Sequence, residues 1–268
     1  MHMGPAMPRF LPLVFAFLTA AFAASPATAA DIKVMISAGF FSVYSELGPA
    51  FEKSSGHKLI TTRGPSLGDS PEAIPARLAR GEHGDVLIMD GHGTDILDQR
   101  GMTLPGSRVP LAESFIGMVV RSGQPKPDIS TVEALRKTLL AAKSIAYSDS
   151  SSGTYLSTVG FKKLGIADEI AGKTRKVRGP PSGESVAAVV ARGEAEVGFQ
   201  QVAELIHVPG TDFVGTVPAE IQPPTFFVGA LPKGSQQADA AVALLRFLSS
   251  AEAAAVITKN GLKPLGPR

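Results

Sequence analysis

Short apolar runs alternate with segments of helical period along most of this 268-residue chain, and that alternation limits its fold more than any other feature. Residues 32–36 alternate and then run apolar, and a helix is expected at about 43–54, with Ser42 as N-cap and Gly56 as its stop. Residues 59–62 read as a second strand, after which Ser70 and Pro71 open a helix that runs to Arg80 and ends at Gly81. A third strand is expected at 85–89 and a brief helix at 94–99. Elements spaced this closely predict an α/β fold, a mainly parallel sheet flanked by helices with ligands beyond the carboxyl ends of its strands.

The pattern then repeats. A strand at 115–121 leads through a turn to Ser130 and Glu133, which have the form of a capping box for a helix to about Leu140. A strand near Lys176, a helix at 185–192 and a strand at 197–201 follow. Residues 225–231 read as a strand, 236–248 as a helix, and a last helix opens at Ser249 and closes at Gly261. Two such sets with no flexible linker predict two lobes joined by short crossings able to act as hinges.

Residues 1–30 have the form of a cleaved export signal. Arg9 is the sole formal charge ahead of an apolar run at 10–24, and an Ala-Thr-Ala-Ala exit precedes Asp31. The run is too short and Pro-interrupted to span a bilayer. With no cysteine anywhere, neither a disulfide framework nor a lipid on an N-terminal Cys is available. A soluble, monomeric periplasmic protein is expected. The remaining 238 residues carry 25 basic and 24 acidic side chains with no basic run, which argues against nucleic acid or an anionic membrane as partner.

The stretch 143–163, KSIAYSDSSSGTYLSTVGFKK, passes from an apolar run through a hydroxyl-rich loop into a helical segment. Those are the parts of an anion cradle, because the first turn of a helix leaves N–H groups unpaired and carries partial positive charge. Ser151, Ser152, Gly153 and Thr154 are its candidate contacts, with Tyr155 either reaching the ligand or packing in the core. Arg63, in the loop after the second strand, suits a carboxylate or phosphate because a planar guanidinium binds either bidentately. The plainer alternatives are a solvated turn and a surface arginine.

Gly64-Pro-Ser66-Leu-Gly68 fits the G-x-S-x-G elbow of a serine hydrolase, with Asp90, His92 or His207 as partners. That elbow normally follows several strands, and no oxyanion loop precedes Ser66, so Ser66 is better read as a donor to a bound anion. His83, Asp85, Asp90, His92 and Asp95 lie close in sequence but lack helical i, i+4 histidine spacing, and no metal or other cofactor is expected.

Six segments in order, VMISA at 34–38, AFEKSSG at 50–56, ARLARGEHGDVLI at 76–88, GEAEVG at 193–198, IQPP at 221–224 and FLSSAE at 247–252, resemble the periplasmic molybdate-binding protein family. The similarity covers essentially all of the mature chain. It implies a type II solute-binding protein of an ABC importer: lobe I at about 31–111 and 227–268, lobe II at about 112–226, and two hinge crossings. It further implies a small anion in the cleft, a membrane permease as partner, and a binder rather than an enzyme. Three departures shift the expected ligand. Gly39, followed by Phe40 and Phe41, stands where the family places a ligand serine; the loop 63–70 is longer and brings Arg63; and Gln201 replaces a ligand tyrosine. They favour an organic di- or tricarboxylate over molybdate or another tetrahedral oxyanion.

Overall fold

The computed structural model describes residues 1–2 and 29–266, so the export signal expected at 1–30 lies almost wholly outside the described residues. The chain opens with β1 (Asp31–Ile36), α1 (Ala38–Ser55), β2 (Lys58–Arg63), α2 (Ile74–Ala79), β3 (Val86–Asp90) and α3 (Gly91–Gln99). β4 (Val109–Ser114) leads directly into β5 (Ile116–Arg121), followed by α4 (Val132–Ala141) and β6 (Ile145–Ser148). α5 (Ser151–Tyr155) continues through a π turn, Leu156–Gly160, into α6 (Phe161–Lys163). Then come α7 (Ala167–Ile170), β7 (Thr174–Val177), α8 (Val186–Ala191), β8 (Val197–Gln201) and β9 (Thr211–Thr216). The chain closes with β10 (Thr225–Ala230), α9 (Ala238–Leu248), α10 (Ala251–Lys259) and β11 (Lys263–Pro264).

These strands form two sheets, ordered β11-β4-β10-β3-β1-β2 and β7-β6-β8-β5-β9. Each sheet is mixed. β2, β1 and β3 are parallel, as are β7, β6 and β8, whereas β10 runs antiparallel to β3 and β5 antiparallel to β8. The α/β alternation accounts for the parallel halves, since crossover helices join parallel neighbours. The antiparallel halves come from the strands that flank the passages between lobes. β4 belongs to the first sheet and β5 to the second, so one passage is the single residue Phe115. The return runs over 217–224. Limits at 111/112 and 226/227 therefore fall inside β4 and β10; by sheet membership the first lobe extends to Ser114 and resumes at Thr225.

The helix expected at 43–54 starts five residues earlier, with extended Ser37 as its N-cap. The reason lies in the apolar period: Phe40, Val43, Tyr44, Leu47 and Phe51 form one continuous buried face, and it begins at Phe40. Phe40 is fully buried in the first lobe's core with Ile36, Phe227 and Leu245, which removes it from the candidate ligand contacts. The second lobe keeps separate apolar clusters on the two faces of its sheet, one around Met118, Phe161 and Phe199, the other around Val119, Val186 and Val190.

Asp85 joins three parts of the first lobe. One oxygen accepts Lys33 N at 2.9 Å on β1, and the other accepts Gln236 N at 2.8 Å and Gln237 N at 3.1 Å just ahead of α9. It is buried, so losing it strands three backbone donors. Asp85→Ala is expected to cost about 3 kcal/mol, read as a fall of roughly 6–12 °C in Tm by calorimetry.

Candidate functional site

The carboxyl ends of the parallel strands of both sheets meet across one cavity of about 40 Å³. β1 delivers Ser37 to its wall, β2 delivers Arg63, β3 Asp90, β6 Ser148, and β8 Gln200 and Gln201; Gly39, Ser66, Asp149, Ser150, Ser151, Ser152 and Glu204 also line it. Ligand sites lie at these strand ends because loops there are free of the sheet's hydrogen bonding and face the same gap.

Two donors at this wall are buried without a partner in the protein, Arg63 Nε and Ser37 Oγ. Arg63 packs its guanidinium over the Phe41 ring, 3.9 Å from the centroid, so one face is held by an aromatic plane. Burial pulls its pKa down, and the nearby Glu204 carboxyl works in the opposite direction. Facing it from the other lobe is a hydroxyl cluster. Ser148 Oγ lies 2.8 Å from Ser150 Oγ and 3.1 Å from Ser152 Oγ. Together they present a guanidinium and several hydroxyls to whatever fills the gap.

Asp90 accepts Gly93 N with one oxygen, capping α3, and Ser151 Oγ with the other at 2.5 Å. The second of these bonds crosses between lobes. Two more contacts cross beside it, Ser182 Oγ donating to Glu72 at 2.6 Å and Lys176 Nζ to Asp69 at 3.3 Å. Asp149, from the serine loop, accepts Gly179 N at 3.0 Å. At the passages themselves, Gln222 accepts Ile116 N at 2.6 Å and donates to Val217 O at 2.7 Å, tying the outgoing and returning segments together.

Glu204 ends a 3₁₀ turn, Val202–Glu204, that follows β8. Ala203 of this turn is buried in the first lobe's core, so a residue carried by the second sheet is fixed against the first lobe. The Glu204 carboxyl accepts from Gln200 Nε2. Desolvation pushes its pKa up to about 8 despite the counteracting Arg63 charge.

The structure thus gathers Gly39, Arg63, Ser66, Ser151, Ser152 and Gln201 from the sequence-based candidates. Gly39 is there because it has no side chain: a Cβ would lie 2.2 Å from the Phe227 ring. Ser66 Oγ accepts Asp90 N at 2.9 Å, and no histidine lines the cavity among the described residues, so Ser66 has no base to make it a hydrolase nucleophile. Gln201 does reach the wall, but its amide is committed to Ser114 and Thr225 on the two strands beside the passages. Besides the core-buried Phe40, three candidates fall outside. Gly153 is packed on the Ser148 carbonyl, Thr154 is exposed, and Tyr155 turns its hydroxyl to Ile221 O at 2.7 Å. Sequence reading missed Ser37 because the helix start was placed at Ser42; the signal was a serine directly after β1. It missed Glu204 because the short turn after β8 has no periodicity to mark it.

Because the folded state holds the Glu204 proton to about pH 8 and an unfolded carboxyl releases it near 4.5, folding stability falls as pH rises across that window. Glu204→Gln is expected to flatten this slope, raising Tm relative to the parent protein at pH 9 and changing it little at pH 4; melting curves across pH check it.

Residues 32–263 match the family described as bacterial extracellular solute-binding protein. A relative from Pseudomonas sp., named aconitate isomerase, is 46% identical over 91% of this chain and 90% of its own. The molybdate-binding protein ModA of Azotobacter vinelandii is 27% identical over 91% of this chain and 94% of its own. A solved structure of the periplasmic molybdate-binding protein from that organism superimposes with a TM-score of 0.69 at 22% identity, covering 88% of this chain and all of the other. The Pseudomonas relative overturns one expectation: its name is that of an enzyme, so the reading of this chain as a binder with no catalysis does not stand.

Proposed function

The chain belongs to the bacterial extracellular solute-binding protein family, and from that premise we propose that it closes its lobes on an aconitate-like tricarboxylate and interconverts the cis and trans forms. The observation that carries the reading is Arg63, a half-buried guanidinium whose Nε has no acceptor in the protein and which faces the serine cluster across the cavity. A carboxylate satisfies that nitrogen and the Ser37 hydroxyl together, and charge-assisted bonds of this kind contribute about 1.5–3 kcal/mol each. The 46% identity to a protein named for aconitate supports a tricarboxylate over molybdate, whose named binder is more distant at 27%.

The reaction asks little of the protein. Aconitate carries a methylene and a vinylic carbon on either side of a central carbon, each bearing a carboxylate. Moving one proton from the first to the second shifts the double bond by one position and regenerates the same connectivity, so the geometry about the double bond is the net change. A site that grips the carboxylates and holds a proton donor–acceptor beside the chain suffices, without redox chemistry or added water. Export to the periplasm and a membrane permease as further partner fit the same reading, since the contacts that close the lobes are what a receptor uses to present its cargo.

Purified protein incubated with cis-aconitate should generate trans-aconitate, followed by proton NMR; binding without isomer formation would refute the catalytic part. Arg63→Ala should weaken tricarboxylate binding at least tenfold by calorimetry, the equivalent of about 1.4 kcal/mol. Tight binding of molybdate with no response to tricarboxylates would overturn the ligand.

A further inference from the structure

We propose that Glu204 is the proton carrier of this isomerisation, taking a proton from one arm of the bound tricarboxylate and returning it to the other. The inference rests on the isomerase reading and deepens it by assigning the group that does the chemistry. Three carboxyls line the cavity, and two are occupied by structure. Asp90 uses one oxygen to cap α3 and the other to receive Ser151 Oγ. Asp149 holds the Gly179 backbone. Glu204 ties no second element down; its carboxyl takes the Gln200 side-chain amide and the neighbouring Gln201 backbone N–H, which keep it oriented while leaving it able to gain or lose a proton. Gln200 is itself anchored, its Oε1 accepting Val186 N at 3.2 Å.

Placement and charge point the same way. The turn bearing Glu204 is braced against the first lobe through Ala203, so the carboxyl is held at the junction of both lobes, where a trapped ligand must lie. The charged groups that act on it are Arg63 and Asp149, one of each sign. A pKa raised to about 8 makes its conjugate base far stronger than an ordinary carboxylate, as removal of a proton next to a carboxylate requires. Arg63, on the same wall, is placed to stabilise negative charge as it spreads from carbon to carboxylate.

The step balances without a co-reactant. The Glu204 carboxylate accepts the methylene proton; the C–H bond breaks, and its electron pair spreads over the three-carbon allyl unit and the flanking carboxylates. The resulting carboxyl then donates that proton to the former vinylic carbon, forming the new C–H bond and leaving the double bond displaced. One carrier means one face of the substrate, so a label taken up at one carbon is partly delivered to the other.

The test uses cis-aconitate deuterated at its methylene, with the full protein in ordinary water. Parent protein should give trans-aconitate retaining part of the deuterium at the new methylene, with kcat/KM rising as pH increases to about 8 and levelling above it. Glu204→Gln should bind trans-aconitate within about threefold of the parent by thermal shift, and lose at least a hundredfold in turnover. A folded Glu204→Gln protein that isomerises within tenfold of the parent overturns the assignment while leaving the isomerase reading intact. Should that variant fail to fold, the parent's profile decides: a rate flat from pH 6 to 9, with no retained label, overturns it. Parent protein that neither isomerises nor exchanges the methylene hydrogens refutes the isomerase reading, and this assignment falls with it.

Discussion

Leaving a charged nitrogen buried without an acceptor is among the more expensive things a folded chain can do, at about 1–3 kcal/mol and more for an ion. This fold does it at the end of β2, where Arg63 Nε is unpaired and its guanidinium rests on Phe41. Much of the surrounding structure follows from that placement. The Phe41 plane fixes one face, the absence of a side chain at Gly39 keeps the neighbouring wall open, and Glu204 lies close enough to exert a charge on the arginine. Ser37 Oγ, equally unpaired, stands at the end of the adjacent strand. Two orphan donors on neighbouring strand ends describe the complement of a carboxylate better than any single motif does.

The second lobe contributes closure as well as the Asp149 and Glu204 carboxyls. Its serine loop reaches Asp90 through Ser151, and Ser182 and Lys176 reach Glu72 and Asp69. The latter pair is exposed, and isolated ion pairs of that kind contribute at most about 1 kcal/mol, so closure is set by the buried end of the cleft. Gln201 and Gln222 meanwhile occupy their amides with the strands and segments at the passages. Gln201 thus serves as a brace between the strands beside the passages.

Much of the architecture was legible in the residues because it rests on local periodicity. The helix expected to open at Ser130 starts one residue later with Thr131 as its cap, Ser185 caps α8, and β1, β3 and β8 are short and mainly apolar. What escaped was set by distant partners. β4 and β9 are half-polar strands that depend on their neighbours, and α1 began earlier than its best capping serine because Phe40 had a core to enter. The site divides along the same line. Arg63, Ser66, Ser151 and Ser152 were visible as polar residues at strand ends, whereas Tyr155 and Thr154 share a helix with them but point elsewhere. Glu204 could not be found from sequence, since its character comes from desolvation where its turn packs against α1, far earlier in the chain.

The brace formed by Gln222 has a mechanical corollary. One passage is a single residue long, and Gln222 on the other is bonded twice to Ile116 and once to Val217 of its own segment, an arrangement that suits rotation of the two sheets about a common axis. Swivelling admits water to the cavity, and a carboxyl whose proton is retained through desolvation releases it when wetted. The same desolvation that raises the Glu204 pKa depends on the lobes being closed, so the fold ties the acidity of this one carboxyl to the fit between its two halves.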